Sequence, residues 1–373
     1  MKIIQLDLSD KKQVQDFLNL PFRIYKDIPQ WVPPLRMDDR IRLDPKRYPF
    51  YKHSQAGFFL AYEGPRVIGR IVAINNRLYN EYNNASTGFF YLFECENNQE
   101  AANDLFEAAC DWARVHDLTR ILGPKGFTVL DGFGLLVKGF EYRPAFGLPY
   151  TPPYYPELIE EAGFTQERDA ISAYISADIQ FPPRIHELAE RIAKRRGLHI
   201  ARYRTRKDLR AFVPKLKELY NNALRGTANN APLTDDEVKM MADQLLRFAD
   251  PRLLKVVMKG DDPVGFLMAY PDISAALQKT KGRLFPFGWV TILREFKRTD
   301  FLNINGAGLL PEYRGSGGMA ILYSELFKSV VETGQFKHAE IIQIGTENEN
   351  MLRDLVNFGV DSYKTHRTYV RDL

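Results

Sequence analysis

The chain has few of the residues and patterns that mark secreted, zinc-binding or membrane-spanning proteins. Among its 373 residues only Cys95 and Cys110 are cysteines, and they show no metal-ligand spacing. These absences argue against disulfide bonds and against a structural zinc. No stretch approaches the ~18 uninterrupted apolar residues of a membrane-spanning helix, and the opening residues, with Asp7 among them, hold no apolar run of secretory length. We therefore expect a cytoplasmic protein with neither a membrane partner nor a bound metal.

The charge of the chain is nearly balanced. Lys and Arg number 51 and Asp and Glu number 47, which gives a net charge of +4. So small an excess does not by itself predict a surface for nucleic acid or anionic membrane. One basic run, residues 191–210, holds nine Lys or Arg and one Asp. Without a nucleic-acid-binding motif this run is typical of a solvated helix and edge strand, so we do not expect a nucleic-acid partner.

Apolar and aromatic residues are plentiful. Hydrophobic residues make up 45% of the chain, and there are 25 Phe and 19 Tyr. This composition supplies a core throughout the chain and gives no indication of disorder. A chain of 373 residues is about the length of two ordinary domains.

An internal repeat supports two domains. Residues 62–73 and 258–269 share the spacing Gly-x4-Gly-x3-Ala, with Gly64 and Gly260 at equivalent positions 196 residues apart. Each segment is typical of a β-hairpin with a glycine in the turn. A second pair of segments, 155–164 and 350–360, each predicts a short amphipathic helix ended by a glycine, again 196 residues apart. Two matches in the same order at one offset indicate a duplication.

We place the first domain at 1–178, a linker with a helix at 179–197, and the second domain at 198–373. Each is predicted to be an α/β (α+β) domain with a mixed, mostly antiparallel sheet flanked by helices. In the second domain we expect strands at 198–204, 252–259, 264–271, 301–310, 339–346 and 362–371, helices at 206–224, 234–248, 317–333 and 348–358, and an irregular helical insertion at 272–298.

The sequence that follows the strand at 301–310 predicts an anion site. A glycine-rich turn, Arg314-Gly-Ser-Gly-Gly-Met-Ala320, stands between this strand and the next helix. Backbone N–H groups at a helix N-terminus have no partner inside the helix, and the helix dipole adds positive potential there. Glycines let a phosphate approach the backbone closely, and Arg314 can add a charged contact.

The order of elements from Leu309 to Tyr369, together with this turn, resembles the acetyl-coenzyme A site of the GNAT acetyltransferase superfamily. That family's loop reads Arg/Gln-x-x-Gly-x-Gly/Ala; Arg314 and Gly317 occupy its first two signature positions, and Met319 stands where Gly or Ala is usual. The resemblance covers most of the second domain and, more faintly, the first. It implies two tandem GNAT-like domains, acetyl-coenzyme A as co-substrate, and acetyl transfer to an amine of a small molecule or a protein.

The resemblance also implies functional positions. Leu309 and Leu310 would lie on the central strand, whose backbone pairs with the pantetheine arm, and Asn348 would stand beside that arm, where it can equally be a helix N-cap. The predicted coenzyme-binding set is Leu309, Leu310, Arg314, Gly315, Ser316, Gly317, Gly318, Met319 and Asn348. The helix that usually walls the acceptor site places substrate contacts at Tyr220, Asn222 and Thr227.

The catalytic groups are not evident from the sequence. Many family members carry a tyrosine as proton donor where this chain has Leu355, and the polar residues of the central strand are Asn303 and Asn305, not acids. A general base would therefore come from elsewhere or act through water. Four residues can be proposed for it, although a solvated or packing role is favoured for each: Glu347, Tyr363, Tyr270 and His366.

The first domain has a different sequence at the corresponding turn. Its central strand, 88–96, is followed by residues 97–100, which contain Glu100 but no glycine. Negative charge there repels phosphate. We expect this domain to have lost coenzyme binding and to supply structure or part of an acceptor groove.

Two other functions stay open. A non-catalytic binding protein on the tandem scaffold is favoured by Met319 and Leu355. A Fem-like aminoacyl or peptidyl transferase also pairs two such domains and uses a tRNA-linked donor. The basic run at 191–210 supports that alternative, and the arginine-glycine turn argues against it.

Overall fold

A computed structural model describes residues 1–128, 131–176, 183–224, 231–357 and 360–373. The chain forms two compact units. The first unit consists of Met1–Ile171, Ser274–Ile292 and Tyr363–Leu373, and the second of Ser172–Ile273 and Leu293–Ser362. Both units have a mixed, mostly antiparallel sheet flanked by helices, which confirms the predicted fold class.

The elements up to Ser176 belong mainly to the first unit. In chain order they are β1 (Lys2–Gln5), α1 (Lys11–Ile24), α2 (Arg36–Arg42), a 3-10 turn (Pro49–Lys52), β2 (Gln55–Glu63), β3 (Arg66–Asn75), α3 (Arg77–Asn83), β4 (Thr87–Cys95), α4 (Gln99–Val115), β5 (Arg120–Gly123), β6 (Leu135–Lys138), α5 (Tyr155–Glu161) and β7 (Thr165–Ser176).

The rest of the described chain follows in the same way. It forms α6 (Pro183–Arg196), β8 (Leu198–Ile200), α7 (Arg206–Ala223), α8 (Asp235–Phe248), β9 (Leu254–Lys259), β10 (Asp262–Pro271), α9 (Ser274–Thr280), α10 (Gly288–Arg298), β11 (Phe301–Leu309), a 3-10 turn (Pro311–Tyr313), α11 (Gly318–Thr333), β12 (His338–Gly345), α12 (Glu349–Asn357) and β13 (Asp361–Asp372).

The strand order is similar in the two units. In the first unit it is β1-β2-β3-β4-β5-β13-β7, with β6 also paired to β13, and in the second it is β7-β12-β11-β10-β9-β8. Strand β7 contributes residues up to Ile171 to the first unit and residues from Ser172 to the second. Each unit has one parallel pair, β4 with β5 and β11 with β12, among the strand pairs described in full.

The units do not follow chain order, in contrast to the expected boundaries at 178 and 198. Strand β13 comes last in the sequence, yet it pairs antiparallel with β5, where Val370 lies opposite Leu122. It therefore completes the sheet of the first unit. Strand pairing over long sequence separations decides this grouping, and no local pattern records it. Residues 179–182 of the expected linker lie outside the described residues, and Pro183 begins α6.

Amphipathic helices cover each core. Helix α4 begins after Asn98, whose side chain accepts a hydrogen bond from the Ala101 N–H at 3.0 Å, as an N-cap does. Its buried face packs small and apolar side chains on the first sheet: Ala101, Ala102, Leu105, Phe106, Ala109, Cys110 and Ala113. In the second unit, α11 buries Ile321, Leu322 and Leu326 in a core shared with strands β9, β10 and β11. No helix in the described part of the chain has the length and apolar character needed to cross a membrane.

The repeated segments form equivalent hairpins. Gly64 connects β2 to β3 and Gly260 connects β9 to β10, and both have a φ of 58°. An L-residue rarely adopts this left-handed conformation, which glycine takes without strain. The glycine that ends the second repeated helix, Gly359, lies outside the described residues, and its counterpart Gly163 has a φ of 84°.

A second likeness between the units is a β-bulge that the sequence did not reveal. In the first unit the pairing of β3 with β4 shifts between Arg70 and Val72, and Leu92 on β4 has a φ of 49°. In the second, the pairing of β10 with β11 shifts between Leu267 and Ala269, and Gly306 on β11 has a φ of 94°. Each bulge bends a strand, β4 or β11, that also belongs to the parallel pair of its own sheet.

Candidate active site

The parallel strands of the second unit separate after four paired positions. Pairing of β11 with β12 runs from Phe301 opposite His338 to Ile304 opposite Ile341. Strand β11 then continues to Leu309, and no strand pairing with β12 is found over that length in the described chain. Backbone N–H and C=O groups on an open strand edge are available to pair with an extended ligand. The separation therefore forms a slot suited to a chain that carries amide groups.

A glycine turn joins β11 to α11 beside this slot. Gly315 has a φ of 67° and Gly317 a φ of 83°, so the turn uses two left-handed glycines. The first intrahelical bond in this turn runs from the Ile321 N–H to the Gly317 carbonyl at 3.4 Å. The N–H groups of residues 318–320 therefore have no partner inside the helix and face its N-terminal end. These N–H groups are compatible with the predicted anion site, which stays a prediction.

A buried hydroxyl in the turn fits the same ligand chemistry. Ser316 is 5% exposed, and its Oγ has no hydrogen-bond partner among the residues described. An unsatisfied buried hydroxyl destabilises a protein by about 1–3 kcal/mol, and a phosphate oxygen would satisfy it. A Cβ on Gly318 would lie 2.9 Å from Leu309 Cδ2, so glycine also allows the helix to pack closely on the strand. The residues present therefore fit the pyrophosphate of coenzyme A.

Arg314 is bonded to the protein backbone. Its Nη2 donates a hydrogen bond to the Ala223 carbonyl at 3.0 Å, and its Nε donates to the Leu309 carbonyl at 3.4 Å. The guanidinium thus ties the end of α7 to the end of β11, and a cation at a helix C-terminus is favourable. Its predicted contact with coenzyme A stays a prediction.

Three other predicted coenzyme-binding residues have defined positions. The Leu310 N–H donates to the Val264 carbonyl at 2.9 Å, so it faces β10. Met319 packs against the core of the second unit. The Oδ1 atom of Asn348 accepts a hydrogen bond from the Met351 N–H at 3.2 Å, which makes Asn348 the N-cap of α12. The N-cap alternative for Asn348 is therefore observed, and its role beside pantetheine is untested.

The expected acceptor wall lies at the end of α7. Tyr220 is 8% exposed, and its ring stacks on Phe266 with centroids 5.8 Å apart. Asn222 is half-buried, and Thr227 lies outside the described residues. A Cβ on Gly308 would lie 3.2 Å from the Ala223 Cβ, so α7 passes close to β11. Tyr220 is thus mainly a packing residue, and the contact of Asn222 with substrate stays a prediction.

A polar row crosses the strands where they begin to separate. Tyr270 on β10 lies opposite Asn303 on β11, and Asn303 lies opposite Glu340 on β12. Asn303 and Glu340 are 0% and 1% exposed. The Asn303 Nδ2 donates to the Asp272 Oδ1 at 3.1 Å, and the Asn305 Nδ2 donates to the Tyr270 hydroxyl at 3.4 Å. The row brings two carboxylates and a phenol to one end of the slot.

These groups include both a proton donor and a proton acceptor. Burial raises the pKa of Tyr270, and the nearby Asp272 and Glu340 carboxylates raise it further. Its phenol is therefore protonated near neutral pH and can donate, whereas a carboxylate can accept a proton. Sequence reasoning missed Glu340. The sequence did contain a signal for it: Glu340 alternates with Ile342 and Ile344, so it lies on the apolar face of its strand. Burying a carboxylate among apolar side chains has a desolvation cost, which indicates that the acid has a role.

The other proposed general bases lie elsewhere. Glu347 is exposed and follows the end of β12. Tyr363 and His366 lie on β13 in the first unit, where Tyr363 packs edge-on to Tyr142 with centroids 4.8 Å apart. The His366 Nε2 donates to the Pro149 carbonyl at 3.1 Å, and burial lowers the pKa of His366 to about 4. No cluster of three or more metal-binding side chains occurs among the described residues.

The corresponding turn of the first unit has a side-chain cap and an acid in place of glycines. The N-terminus of α4 is capped by the Asn98 side chain, and the Asn98 N–H donates to the Glu96 carbonyl at 2.6 Å. The Glu96 carboxylate forms ion pairs with Arg23 at 3.1 Å and Arg66 at 3.0 Å. Glu96 thus adds a paired acid just before α4, and the expected loss of coenzyme binding in this unit stays a prediction.

The fold of this chain is similar to that of solved structures. No family model matches the sequence. A tandem GNAT protein from the clavulanic acid biosynthesis pathway matches this chain with a TM-score of 0.58 over 100% of this chain and 98% of that one, at 12% identity. The chain has the tandem GNAT fold. The resemblance stated from the sequence is confirmed at the level of fold, and the separated strands and glycine turn lie in the second GNAT-like unit.

Two curated relatives match nearly the whole GNAT-like chain. "Bacterial ceramide synthase" of Caulobacter vibrioides is 28% identical over 370 residues, which covers 97% of this chain and 95% of the relative. "Protein YghO" of Escherichia coli is 25% identical over 371 residues, which covers 98% of this chain and 94% of the relative. The similarity therefore extends through both GNAT-like units.

Proposed function

We propose that this chain is an N-acyltransferase that moves an acyl group from acyl-coenzyme A to an amine. The observation that carries the proposal is the strand separation beyond Ile304 and Ile341, beside a turn whose buried Ser316 hydroxyl has no hydrogen-bond partner in the described chain. The GNAT fold family generally uses acetyl-coenzyme A, which is the first donor to test. A bound coenzyme A thioester would supply the activated acyl group.

The residues of the second unit would divide this work. The N–H groups of residues 318–320 and the Ser316 hydroxyl would hold the pyrophosphate, and the open edge of β11 would align the pantetheine arm. Glu340 is our choice for the group that takes up the proton of the amine. Tyr270, whose phenol is protonated near neutral pH, would donate a proton to the departing thiolate. This assignment replaces the tyrosine that is absent at Leu355, a buried core residue here.

The acceptor class is the finer part of the proposal. A ceramide is the amide of a fatty acid and a long-chain amino alcohol, so the name of the Caulobacter relative points to an amine attached to a long alkyl chain. We propose long-chain amino alcohols as the acceptors to test first and long-chain acyl-coenzyme A as the donor to compare with acetyl-coenzyme A.

The test begins with binding. Acetyl-coenzyme A is titrated calorimetrically into the purified chain and into Gly315→Asp, which places a negative charge in the turn at a position where a Cβ meets no atom within 4 Å. Binding that the variant loses supports the coenzyme site. Absence of binding of either acetyl- or long-chain acyl-coenzyme A to the unaltered chain refutes the acyltransferase. Salt-sensitive binding of aminoacyl-tRNA in its place would support the Fem-like alternative.

Turnover is then measured as thiol release together with mass detection of the amide. Glu340→Gln should lower the rate about 10²–10⁴-fold, with coenzyme binding retained. The matched control is Glu347→Gln, an exposed acid of the same unit that should keep its rate. Loss of turnover in the control alone would indicate that Glu347, and not Glu340, is the proton acceptor. Binding without turnover on any amine would support a non-catalytic scaffold.

A further inference from the structure

The segment between α9 and the middle of α10 exposes large aromatic side chains. Phe285 and Phe287 are each 75% exposed and Trp289 is 48% exposed, all within five residues. Other strongly exposed apolar residues in the described chain, such as Val115 and Val331, are isolated in sequence. Single exposed apolar residues are ordinary, whereas a contiguous aromatic group marks a surface that binds something.

The base of this segment is held firmly by the first unit. The Gln278 Nε2 donates to the Trp31 carbonyl at 3.0 Å, and the Arg36 N–H donates to the Gly282 carbonyl at 3.1 Å. The Arg36 Nε also donates to the Lys281 carbonyl at 3.2 Å. Backbone groups at the base are therefore anchored by side chains and backbone of the same unit. The aromatic side chains project from a supported loop.

The tip has a local structure of its own. The Trp289 N–H donates to the Leu284 carbonyl at 2.9 Å, and the indole Nε1 donates to the Pro286 carbonyl at 3.1 Å. Trp289 is therefore oriented at the start of α10, and Leu293, four residues later, is 48% exposed on the same helix face. Of the α10 residues, Ile292 is buried. The helix presents an apolar stripe outward as well as a buried residue inward.

Basic side chains surround these apolar groups. Residues 279–298 contain six Lys or Arg and one Glu, which gives this segment a charge of +5. The basic residues are all exposed: Lys279, Lys281, Arg283, Arg294, Lys297 and Arg298. The surroundings of the exposed aromatic group are therefore strongly basic. A separate segment, residues 191–210, is also basic, with nine Lys or Arg and one Asp, but it contains no comparable exposed aromatic group.

This charge decides between the classes of occupant. A second copy of the chain in a two-fold interface would place +5 against +5. An anionic bilayer supplies both the negative surface and an apolar layer below it, which suits an apolar tip flanked by basic residues. Trp289 carries an apolar ring and one polar N–H, a combination enriched at the boundary between headgroups and hydrocarbon.

We propose that residues 279–298 are a docking surface for anionic lipid bilayers, with Phe285, Phe287 and Trp289 inserted at the headgroup boundary. The inference stands independently of the proposed function and differs from the expectation of no membrane partner. That expectation rested on the lack of a membrane-spanning apolar run and on the small net charge of the whole chain, which averages out a local cluster. Docking on a surface requires no membrane-spanning helix.

Cosedimentation with vesicles tests the proposal. The purified full chain is mixed with vesicles of phosphatidylcholine alone and with vesicles that also contain phosphatidylglycerol. We expect binding to the anionic vesicles that weakens as salt is raised. The triple variant Phe285→Ser, Phe287→Ser, Trp289→Ser should lose it. The matched control is Val115→Ser with Val331→Ser, which removes apolar groups that are 80% and 63% exposed elsewhere.

A charge variant separates electrostatic attraction from insertion. Lys297→Gln with Arg298→Gln should weaken binding about 25-fold, since each basic residue near an anionic surface contributes about fivefold, or about 1 kcal/mol. The removed side chains are exposed, so circular dichroism should show unchanged folding. Equal binding by the charge variant and the unaltered chain would overturn the role of charge.

Tryptophan fluorescence reports the insertion itself. We expect a blue shift of emission with anionic vesicles that disappears in Trp289→Phe, although that variant still sediments with them. The proposal is overturned if the unaltered chain ignores anionic vesicles or if the aromatic triple variant binds them equally well. It is also overturned if the chain is a dimer by light scattering and the triple variant is a monomer, because the patch would then be a protein interface.

Discussion

A charge placed at the glycine turn provides the sharpest test of the coenzyme site. Gly315 has a φ of 67°, and a Cβ built on it meets no atom within 4 Å. Gly334, at the opposite end of α11, has a φ of 61° and equally open surroundings. Aspartate tolerates the left-handed region better than most residues. Gly315→Asp and Gly334→Asp should therefore destabilise the fold by similar small amounts, about 1 kcal/mol.

Only Gly315→Asp should weaken the binding of coenzyme A. A carboxylate about 5 Å from one phosphate charge costs about 1–3 kcal/mol for an effective dielectric constant between bulk water and about 20. The affinity of Gly315→Asp for coenzyme A should fall about 5- to 150-fold, and less at high salt. Gly334 is about 24 Å away along the 16-residue helix, so its variant should bind as the unaltered chain does.

Calorimetry measures both affinities, and urea unfolding shows whether the two variants are equally stable. Equal affinities for coenzyme A in both variants and in the unaltered chain would refute a pyrophosphate at this turn. Equal losses in both variants would mean that the dissociation constant follows overall stability and not the local charge.

Three further predictions concern buried polar groups. His366→Gln should keep the bond to the Pro149 carbonyl and remove the titrating group. Burial lowers the pKa of His366 from 6.5 to about 4, so the unaltered chain should lose about 3 kcal/mol of unfolding free energy as the pH falls from 7 to 4. Urea unfolding should show that the variant keeps this free energy. Glu94→Ala should destabilise by about 3–5 kcal/mol, since it leaves the buried Arg70, 3.6 Å from that carboxylate, without this ion pair; an unchanged urea midpoint would contradict this. Ser316→Ala removes the unsatisfied hydroxyl, so it should raise stability by about 1–3 kcal/mol and should weaken coenzyme A binding about fivefold in calorimetry. A clear loss of stability would mean that the hydroxyl is already satisfied.

The sequence predicted the elements of the second unit to within a few residues. The strand expected at 301–310 is Phe301–Leu309, and the helix expected at 317–333 is Gly318–Thr333. Glycines and apolar periodicity carry this information because both act through the local backbone. The strand expected at 198–204 is shorter, Leu198–Ile200. It lies at a sheet edge, where few partners extend it.

The turn could also be located from the sequence, because phosphate recognition by a helix N-terminus uses a contiguous stretch of backbone. Its buried hydroxyl could not, since the burial of Ser316 depends on how α11 packs on the sheet. The hydrogen bond from Arg314 to the Ala223 carbonyl could not be predicted either, because the two residues are 91 positions apart in the sequence.

What the sequence determined by itself was therefore local: the duplication, the turn glycines Gly64 and Gly260, and the strand–turn–helix order around Arg314. The tertiary structure alone decided that Tyr270, Asn303 and Glu340 stand in one row, and that the last strand completes the sheet of the first unit. The physical reason is the same in both cases. Strand register is set by pairing between segments far apart in the chain, and a shift of one residue would turn each side chain to the opposite face.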